Sequence, residues 1–314
     1  MNTGYDVIII GGGPAALSAA IYTCRALLKT LVLEKRYLGG QVSGTEMIEN
    51  YPGFPSVISG IELTERMEAQ AKRFGAEIRY EEVSKLEVKD GLKIVTTDSD
   101  TYGTKIVILA SGADPRKLGI PGEEEFYGRG VSYCATCDGA FYRGKNVVVV
   151  GGGDSAITEG IFLTKYAESV KIIHRRDVVK ATKIYLDEAA SNPKITMVLN
   201  TIVESIQGDE AVKGVIAKNL LTGEKSEIPC QGVFIFVGSL PNTGFLGNLL
   251  CVDAGCHIET DASMETSIEG IYAVGDVRKN SYKQIATAVG DGVTAAIAAE
   301  HKLAELKASG KTGK

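Results

Sequence analysis

Of six cysteines, only Cys134 and Cys137 stand at C-x-x-C spacing, in Cys134-Ala135-Thr136-Cys137-Asp138-Gly139. Two thiols at that separation can close a small reversible ring, which reads as a redox dithiol. Exchange then needs one thiolate to attack a partner disulfide while the other resolves the mixed intermediate. Asp138 stands where a carboxyl could hand a proton to a departing thiolate, and an exposed turn residue before Gly139 is the plainer account of it. A metal site would require two further ligands. Cys251, Cys256 and His257 offer C-x4-C spacing without a second C-x-x-C, so zinc is the weaker alternative and no metal is expected. Cys24, in an apolar helical stretch, and Cys230, just before a strand, read as inert buried thiols.

Two glycine loops carry the second kind of chemistry. Tyr5-Asp6-Val7-Ile8-Ile9-Ile10 runs into Gly11-Gly12-Gly13-Pro14-Ala15-Ala16, and Lys145-Asn146-Val147-Val148-Val149-Val150 runs into Gly151-Gly152-Gly153-Asp154-Ser155-Ala156. In each copy the first glycine (Gly11, Gly151) permits a tight turn, and the third (Gly13, Gly153) lets backbone approach a pyrophosphate. Ala16 and Ala156 are small enough for the helix to pack closely on the strand. Such a loop alone is a weak signal; a strand before it, a helix after it and an internal duplication strengthen it.

The end of the returning strand discriminates between ligands. Glu34 is placed to accept from a free ribose 2'-hydroxyl, as in FAD or NAD. The second copy has His174-Arg175-Arg176 in that register, and two fixed cations suit a 2'-phosphate, so NADPH is expected over NADH. A solvated basic turn is the alternative for that triplet, and helix capping has an equal claim on Asp154.

The elements that must position these residues are alternating strands and helices. Helices are expected over Leu17 to Leu28 and Ile157 to Tyr166. Thr30 to Glu34 and Val170 to Ile173 read as the returning strands of two βαβ units. Further strands are expected at Ala76 to Tyr80, Ser84 to Val88, Leu92 to Thr97, Lys105 to Leu109 and Val233 to Val237. Ser111 to Pro115 and Val237 to Asn242 read as crossovers. The expected fold is α/β, with two Rossmann-like nucleotide-binding domains, the second inserted into the first. Residues 1–113 with 244–314 would form one domain and residues 114–243 the other.

The 314 residues suffice for two cores, and 44% hydrophobic with 23% charged residues is the composition of a globular chain. A net charge of -5 lacks the basic footprint of a nucleic-acid binder. The apolar runs Val7 to Ile10 and Val147 to Val150 fall far short of the ~20 residues of a membrane span. The N-terminus has no signal-peptide plan, so the expected location is the cytoplasm. The polar tail Lys307 to Lys314 is expected to fray.

Taken together, these motifs resemble the low-molecular-weight thioredoxin reductases over nearly the whole length. Gly39-Gly40-Gln41, Glu49-Asn50-Tyr51-Pro52-Gly53, Ala110-Ser111-Gly112-Ala113, Gly275-Asp276-Val277 and Gln284-Ile285-Ala286 are further marks of that family. The resemblance implies FAD in the discontinuous domain, its adenosine end on the Gly11 loop and Glu34. Gly40, Gln41 and Asn50 would stand on the flavin side, Gly275 and Asp276 at the ribityl chain, and Gln284, Ile285 and Ala286 at the isoalloxazine. NADPH would take the second loop, Gly151, Gly153, Asp154, Ser155 and Ala156, with His174, Arg175, Arg176 and Lys180. Cys137 would face the flavin, Cys134 would attack the disulfide of thioredoxin or a thioredoxin-like protein, and Asp138 would supply the proton. A homodimer is implied too. Lys180 stands where the family commonly has arginine, which keeps the charge and loses the fork. The runners-up are a related flavoenzyme fed by ferredoxin or a deazaflavin, a dithiol oxidase, and a non-catalytic binding module, which the reactive C-x-x-C disfavours.

Overall fold

The computed structural model describes residues 2–45, 47–250 and 252–308. In chain order the first elements are β1 (Val7–Ile10), α1 (Pro14–Arg25), β2 (Thr30–Glu34), α2 (Gly60–Arg73) and β3 (Glu77–Tyr80). A meander of β4 (Val83–Lys89), β5 (Leu92–Thr97) and β6 (Thr101–Thr104) follows, then β7 (Ile106–Leu109) and β8 (Ala113–Pro115). The next stretch holds β9 (Val131–Ser132), the one-turn α3 (Ala135–Asp138), β10 (Asn146–Gly151), α4 (Asp154–Leu163), β11 (Ser169–Ile173), α5 (Lys183–Ser191) and β12 (Ile195–Val198). It continues with β13 (Thr201–Gly208), β14 (Val212–Asn219), β15 (Lys225–Pro229) and β16 (Gly232–Phe236). The chain ends with β17 (Ser239–Pro241), β18 (Ile271–Ala273) and α6 (Ile285–Ala308).

The contacts divide the chain into two compact units, Met1–Asp114 with Leu240–Lys314, and Pro115–Ser239. The first holds a five-stranded sheet in the order β18-β7-β1-β2-β3, and the second one in the order β12-β11-β10-β16-β9. Every pairing within these two sheets is parallel. This is what the sequence demands: β1, β7 and the valines of β10 are buried on both faces, as continuous apolar strands are in α/β layers. In each unit the order strand, helix, strand, helix, strand, antiparallel three-stranded meander, strand is the same. The duplication therefore extends well beyond the glycine loops, and the α/β architecture of two nucleotide-binding units is the observed one.

Several details depart from the sequence reading, which named no strands at β9 or at β12 to β15. Both loop-proximal helices begin three residues earlier than expected, with Gly13 and Gly153 as their N-caps. Pro14 takes the first helical position, where its missing amide costs nothing. The earlier end of α1 has a cause as well: Leu27 adopts a left-handed backbone at φ 61, which stops the helix short of Leu28. β6 was not anticipated, because Thr101-Tyr102-Gly103-Thr104 carries a glycine and little apolar character. It forms through pairing with β5 and complete burial of Tyr102.

Candidate functional site

Cys134 and Cys137 are joined in a disulfide with their Cα atoms 5.3 Å apart. Cys134 is the extended N-cap of α3, and the Cys137 amide donates to its Sγ at 3.2 Å. That amide is placed to donate to Cys134 Sγ when the bridge opens. Ser132, buried at the end of β9, accepts from the Cys134 amide at 3.0 Å and donates to the Cys134 carbonyl at 3.3 Å. The next residue back is tied down too. Buried Glu123 accepts from the amides of Leu118 (2.8 Å) and Gly119 (2.6 Å) and from the Tyr133 hydroxyl (2.9 Å). Sequence reasoning missed Ser132, Tyr133 and Glu123; their only signal was closeness to the C-x-x-C.

Asp138 follows on the same turn, its amide donating to the Cys134 carbonyl at 3.1 Å. It is half-buried rather than the exposed turn residue of the plainer reading. Burial pushes its carboxyl above the ordinary aspartate range, and a hydrogen bond with the Ser132 side chain pulls the other way. A carboxyl whose proton is held more tightly than usual suits a proton donor beside a leaving thiolate.

At the first glycine loop, a Cβ on Gly11 (φ +109) would lie 2.3 Å from the Ala110 carbonyl oxygen, so the turn itself requires glycine. A Cβ on Gly13 would meet nothing within 4 Å. That open approach to backbone at the N-terminus of α1 fits a pyrophosphate. Glu34 accepts from the Arg36 amide at 3.1 Å and keeps its second oxygen near Gly12. A Cβ on Gly275 (φ +71) would lie 3.2 Å from the Ala15 side chain, so the turn that carries Asp276 stands beside the start of α1. Burial raises the pKa of Asp276, whose carboxylate accepts from Ser281 at 3.1 Å. The turn is braced from behind by Asp291, which accepts from the Gly275 amide (3.1 Å) and from the Arg278 guanidinium (2.6 and 3.0 Å).

The remaining residues that the resemblance assigns to FAD occupy the same unit. Gly40 opens a tight turn over Gly40–Gly44. The Gln41 amide donates to the Ala113 carbonyl, and the Asn50 amide donates to Gln284 at 3.2 Å. Ile285 and Ala286 form the first turn of α6, a helix of 24 residues. The donor set, with one open glycine approach and a half-buried acid for hydroxyl groups, fits FAD.

The second loop has the same construction. A Cβ on Gly151 would lie 2.4 Å from the Phe236 carbonyl oxygen, whereas one on Gly153 would meet nothing within 4 Å. Ala156 is buried and Ser155 exposed. The His174 ring lies against Gly152, where a Cβ would fall 2.1 Å from Nδ1. Its Nε2 is buried without a hydrogen-bond partner among the described residues. Arg175, Arg176 and Lys180 are exposed and form no ion pair among the described residues. Asp154 is not a cap of α4; its carboxylate accepts from the Thr182 amide at 2.6 Å and the Thr182 hydroxyl at 3.2 Å. Unpaired cations around an open glycine approach fit a dinucleotide carrying a 2'-phosphate.

The other cysteines take no part in this arrangement. Cys24 and Cys230 are buried, and burial pushes both thiols up, Cys230 to about 12. Cys256 is exposed, Cys251 lies outside the described residues, and among the described residues no cluster of His, Cys, Asp or Glu could hold a metal ion.

Two dinucleotide loops and a disulfide on a one-turn helix define a flavin-type disulfide oxidoreductase, and comparison with known proteins agrees. The family described as pyridine nucleotide-disulphide oxidoreductase matches residues 5–292. A thioredoxin reductase of Treponema pallidum (strain Nichols) is 49% identical over 95% of this chain and 97% of its own length. One from Bacillus subtilis (strain 168) is 48% identical over 98% of each chain. The crystal structure of the thioredoxin reductase of Streptococcus pyogenes MGAS5005 superposes with a TM-score of 0.91, at 45% identity, over 97% of this chain and 100% of that one. The chain belongs to the pyridine nucleotide-disulphide oxidoreductases and, within them, to the thioredoxin reductases. Its cofactor chemistry is that of FAD and NADPH.

Proposed function

We propose that the chain is an NADPH-dependent thioredoxin-disulfide reductase whose Cys134–Cys137 pair is the exchanging group. The observation that carries this reading is the disulfide at the start of α3 with the half-buried Asp138 beside it. FAD, when bound and reduced by NADPH, would supply the electron pair that opens the disulfide. Cys134, on the N-terminal side of α3, then attacks one sulfur of the partner disulfide, forming a mixed disulfide and releasing one partner thiolate. Asp138 holds the proton that this leaving sulfur takes up. Cys137 gives up its thiol proton and attacks Cys134 Sγ, restoring the intramolecular bridge and releasing the second partner thiolate, which takes up that proton, so the partner gains two electrons and two protons.

The FAD contacts are assigned to Gly11, Gly13, Ala16, Glu34, Gly40, Gln41, Asn50, Gly275, Asp276, Gln284, Ile285 and Ala286. Those to NADPH are assigned to Gly151, Gly153, Asp154, Ser155, Ala156, His174, Arg175, Arg176 and Lys180. Thioredoxin or a thioredoxin-like protein is the partner, and a cytoplasmic homodimer belongs to the same reading. No helix among the described residues is long and apolar enough to cross a membrane. A ferredoxin or deazaflavin donor is disfavoured by the exposed, unpaired Arg175, Arg176 and Lys180. The test is anaerobic titration of the flavoprotein with NADPH or NADH, followed by thioredoxin. NADPH should bleach the flavin far more readily than NADH, and Cys137→Ser should keep FAD bound and abolish thioredoxin reduction. Retained turnover in that variant would remove the dithiol from the reaction.

A further inference from the structure

The cations beside the second glycine loop are held in two different ways. Arg175 and Arg176 leave the end of β11 on backbone secured by neighbours: the Thr201 amide donates to the His174 carbonyl at 3.0 Å and the Asn200 amide to the Arg176 carbonyl at 3.1 Å. Lys180 lies in a segment without strand or helix, between Ile173 and Lys183. That segment is laid across the loop instead. The Lys180 amide donates to the Gly152 carbonyl at 2.8 Å, and Lys180 and Gly153 form an isolated parallel bridge. Two residues on, Asp154 grips Thr182 through both carboxylate oxygens, at 2.6 and 3.2 Å.

We propose that Asp154 is a positioning residue for 2'-phosphate selection: by clamping Thr182 it fixes Lys180 beside the glycine loop. This rests on the reading of the second loop as the NADPH site and changes the part Asp154 plays in it. A free carboxylate at a diphosphate loop would repel its ligand. Here both oxygens already accept hydrogen bonds, so the charge serves the chain and not the nucleotide. Lysine depends on such a tether more than arginine does, because a flexible point charge lacks the pre-organised fork.

The test uses the full-length flavoprotein. In steady-state assays Asp154→Ala should lower the ratio of kcat/KM for NADPH to that for NADH about five- to tenfold, the scale of one exposed charge-assisted contact. Asp154→Asn, which keeps an acceptor for the Thr182 amide, should recover part of the loss. Binding of 2',5'-ADP, followed by calorimetry, should weaken by the same factor as NADPH. The double variant Asp154→Ala/Lys180→Ala should be no worse than Lys180→Ala alone, since both remove one device. Full additivity, or equal losses for NADPH and NADH, overturns the proposal. Arg175→Ala/Arg176→Ala separates it from the reading it rests on. If that pair leaves the NADPH to NADH ratio untouched, the site assignment fails. If it lowers the ratio and Asp154→Ala does not, only the clamp fails.

Discussion

Gly153→Ala separates a glycine kept for a ligand from one kept for the fold. Gly153 has φ -102 and ψ -178, extended backbone that alanine adopts freely, and its Cβ would meet no atom of the chain within 4 Å. Without ligand the substitution should change stability by less than about 1 kcal/mol, because alanine restricts the unfolded chain but is a poorer N-cap of α4 than glycine. At about 2–4 °C per kcal/mol this keeps Tm within about 4 °C of wild type. With ligand the same methyl stands where a pyrophosphate would meet the backbone. Losing one charge-assisted amide bond costs about 1.5–3 kcal/mol, which weakens NADPH about 10- to 150-fold. Gly151→Ala is the contrast. Its Cβ would fall 2.4 Å from the Phe236 carbonyl oxygen and 2.7 Å from the Ala156 side chain, so it should lose about 1–3 kcal/mol of stability before any ligand is added. Scanning calorimetry of the nucleotide-free proteins and anaerobic NADPH titrations of the flavin absorbance give both quantities. NADPH binding to Gly153→Ala within twofold of wild type would refute the assignment of that open space to the pyrophosphate.

Three further outcomes follow from the same geometry. Ser132→Ala removes the hydrogen bond that lowers the Asp138 pKa, so the carboxyl should keep its proton to higher pH. The alkaline limb of the thioredoxin-reduction profile should then move upward, and an unmoved limb would dissociate Asp138 from proton delivery. Asp276, with a pKa raised by burial, contributes stability that is complete below the unfolded value of about 4 and lost as pH rises through its folded value. Asp276→Asn should therefore flatten the pH dependence of urea unfolding of the FAD-free protein above pH 4 and raise its stability at pH 7, while weakening FAD binding measured by flavin fluorescence. An unchanged slope would contradict the burial argument. Lys180→Arg should lower the KM for NADPH about two- to fivefold through a fork in place of a point charge and leave NADH unchanged, as steady-state kinetics with both nucleotides would show.

The fold was legible where local chemistry alone decides it. The strand, glycine loop and helix at Val7 to Arg25 and at Asn146 to Leu163 announce themselves because a buried parallel strand must be apolar throughout and the turn must be glycine. β6 and the extent of the duplication were not legible, since Tyr102 is a core residue only once β5 has paired beside it. At the site, cysteine spacing and the residue at the end of each returning strand were sufficient to nominate a dithiol and two dinucleotides. The supports were hidden because they act across the sequence: Asp154 reaches Thr182, Asp291 reaches Gly275, and Asn50 reaches Gln284. No short-range pattern encodes contacts of that kind.

The two loops share a backbone and differ in what is stacked around them, which bears on how long each ligand stays. In the first unit α6 lies so close to α1 that a Cβ on Gly292 would fall 2.2 Å from the Ala15 carbonyl oxygen, and Ser18 donates to the Val289 carbonyl at 3.2 Å. The Asp276 turn, braced by Asp291 and Arg278, closes on the same helix start. By the proposed assignment a dinucleotide at this loop would meet segments from both ends of the chain. In the second unit Asp154, Ser155, Arg175, Arg176 and Lys180 are all exposed, and what they hold is held at the surface. A reductase needs this asymmetry, because its flavin must survive every turnover while its nicotinamide must leave after each one. Desalting the loaded protein should therefore carry FAD through with the chain at about one equivalent and leave NADP+ behind. Co-elution of NADP+ with loss of FAD would show that burial around the two loops does not set residence.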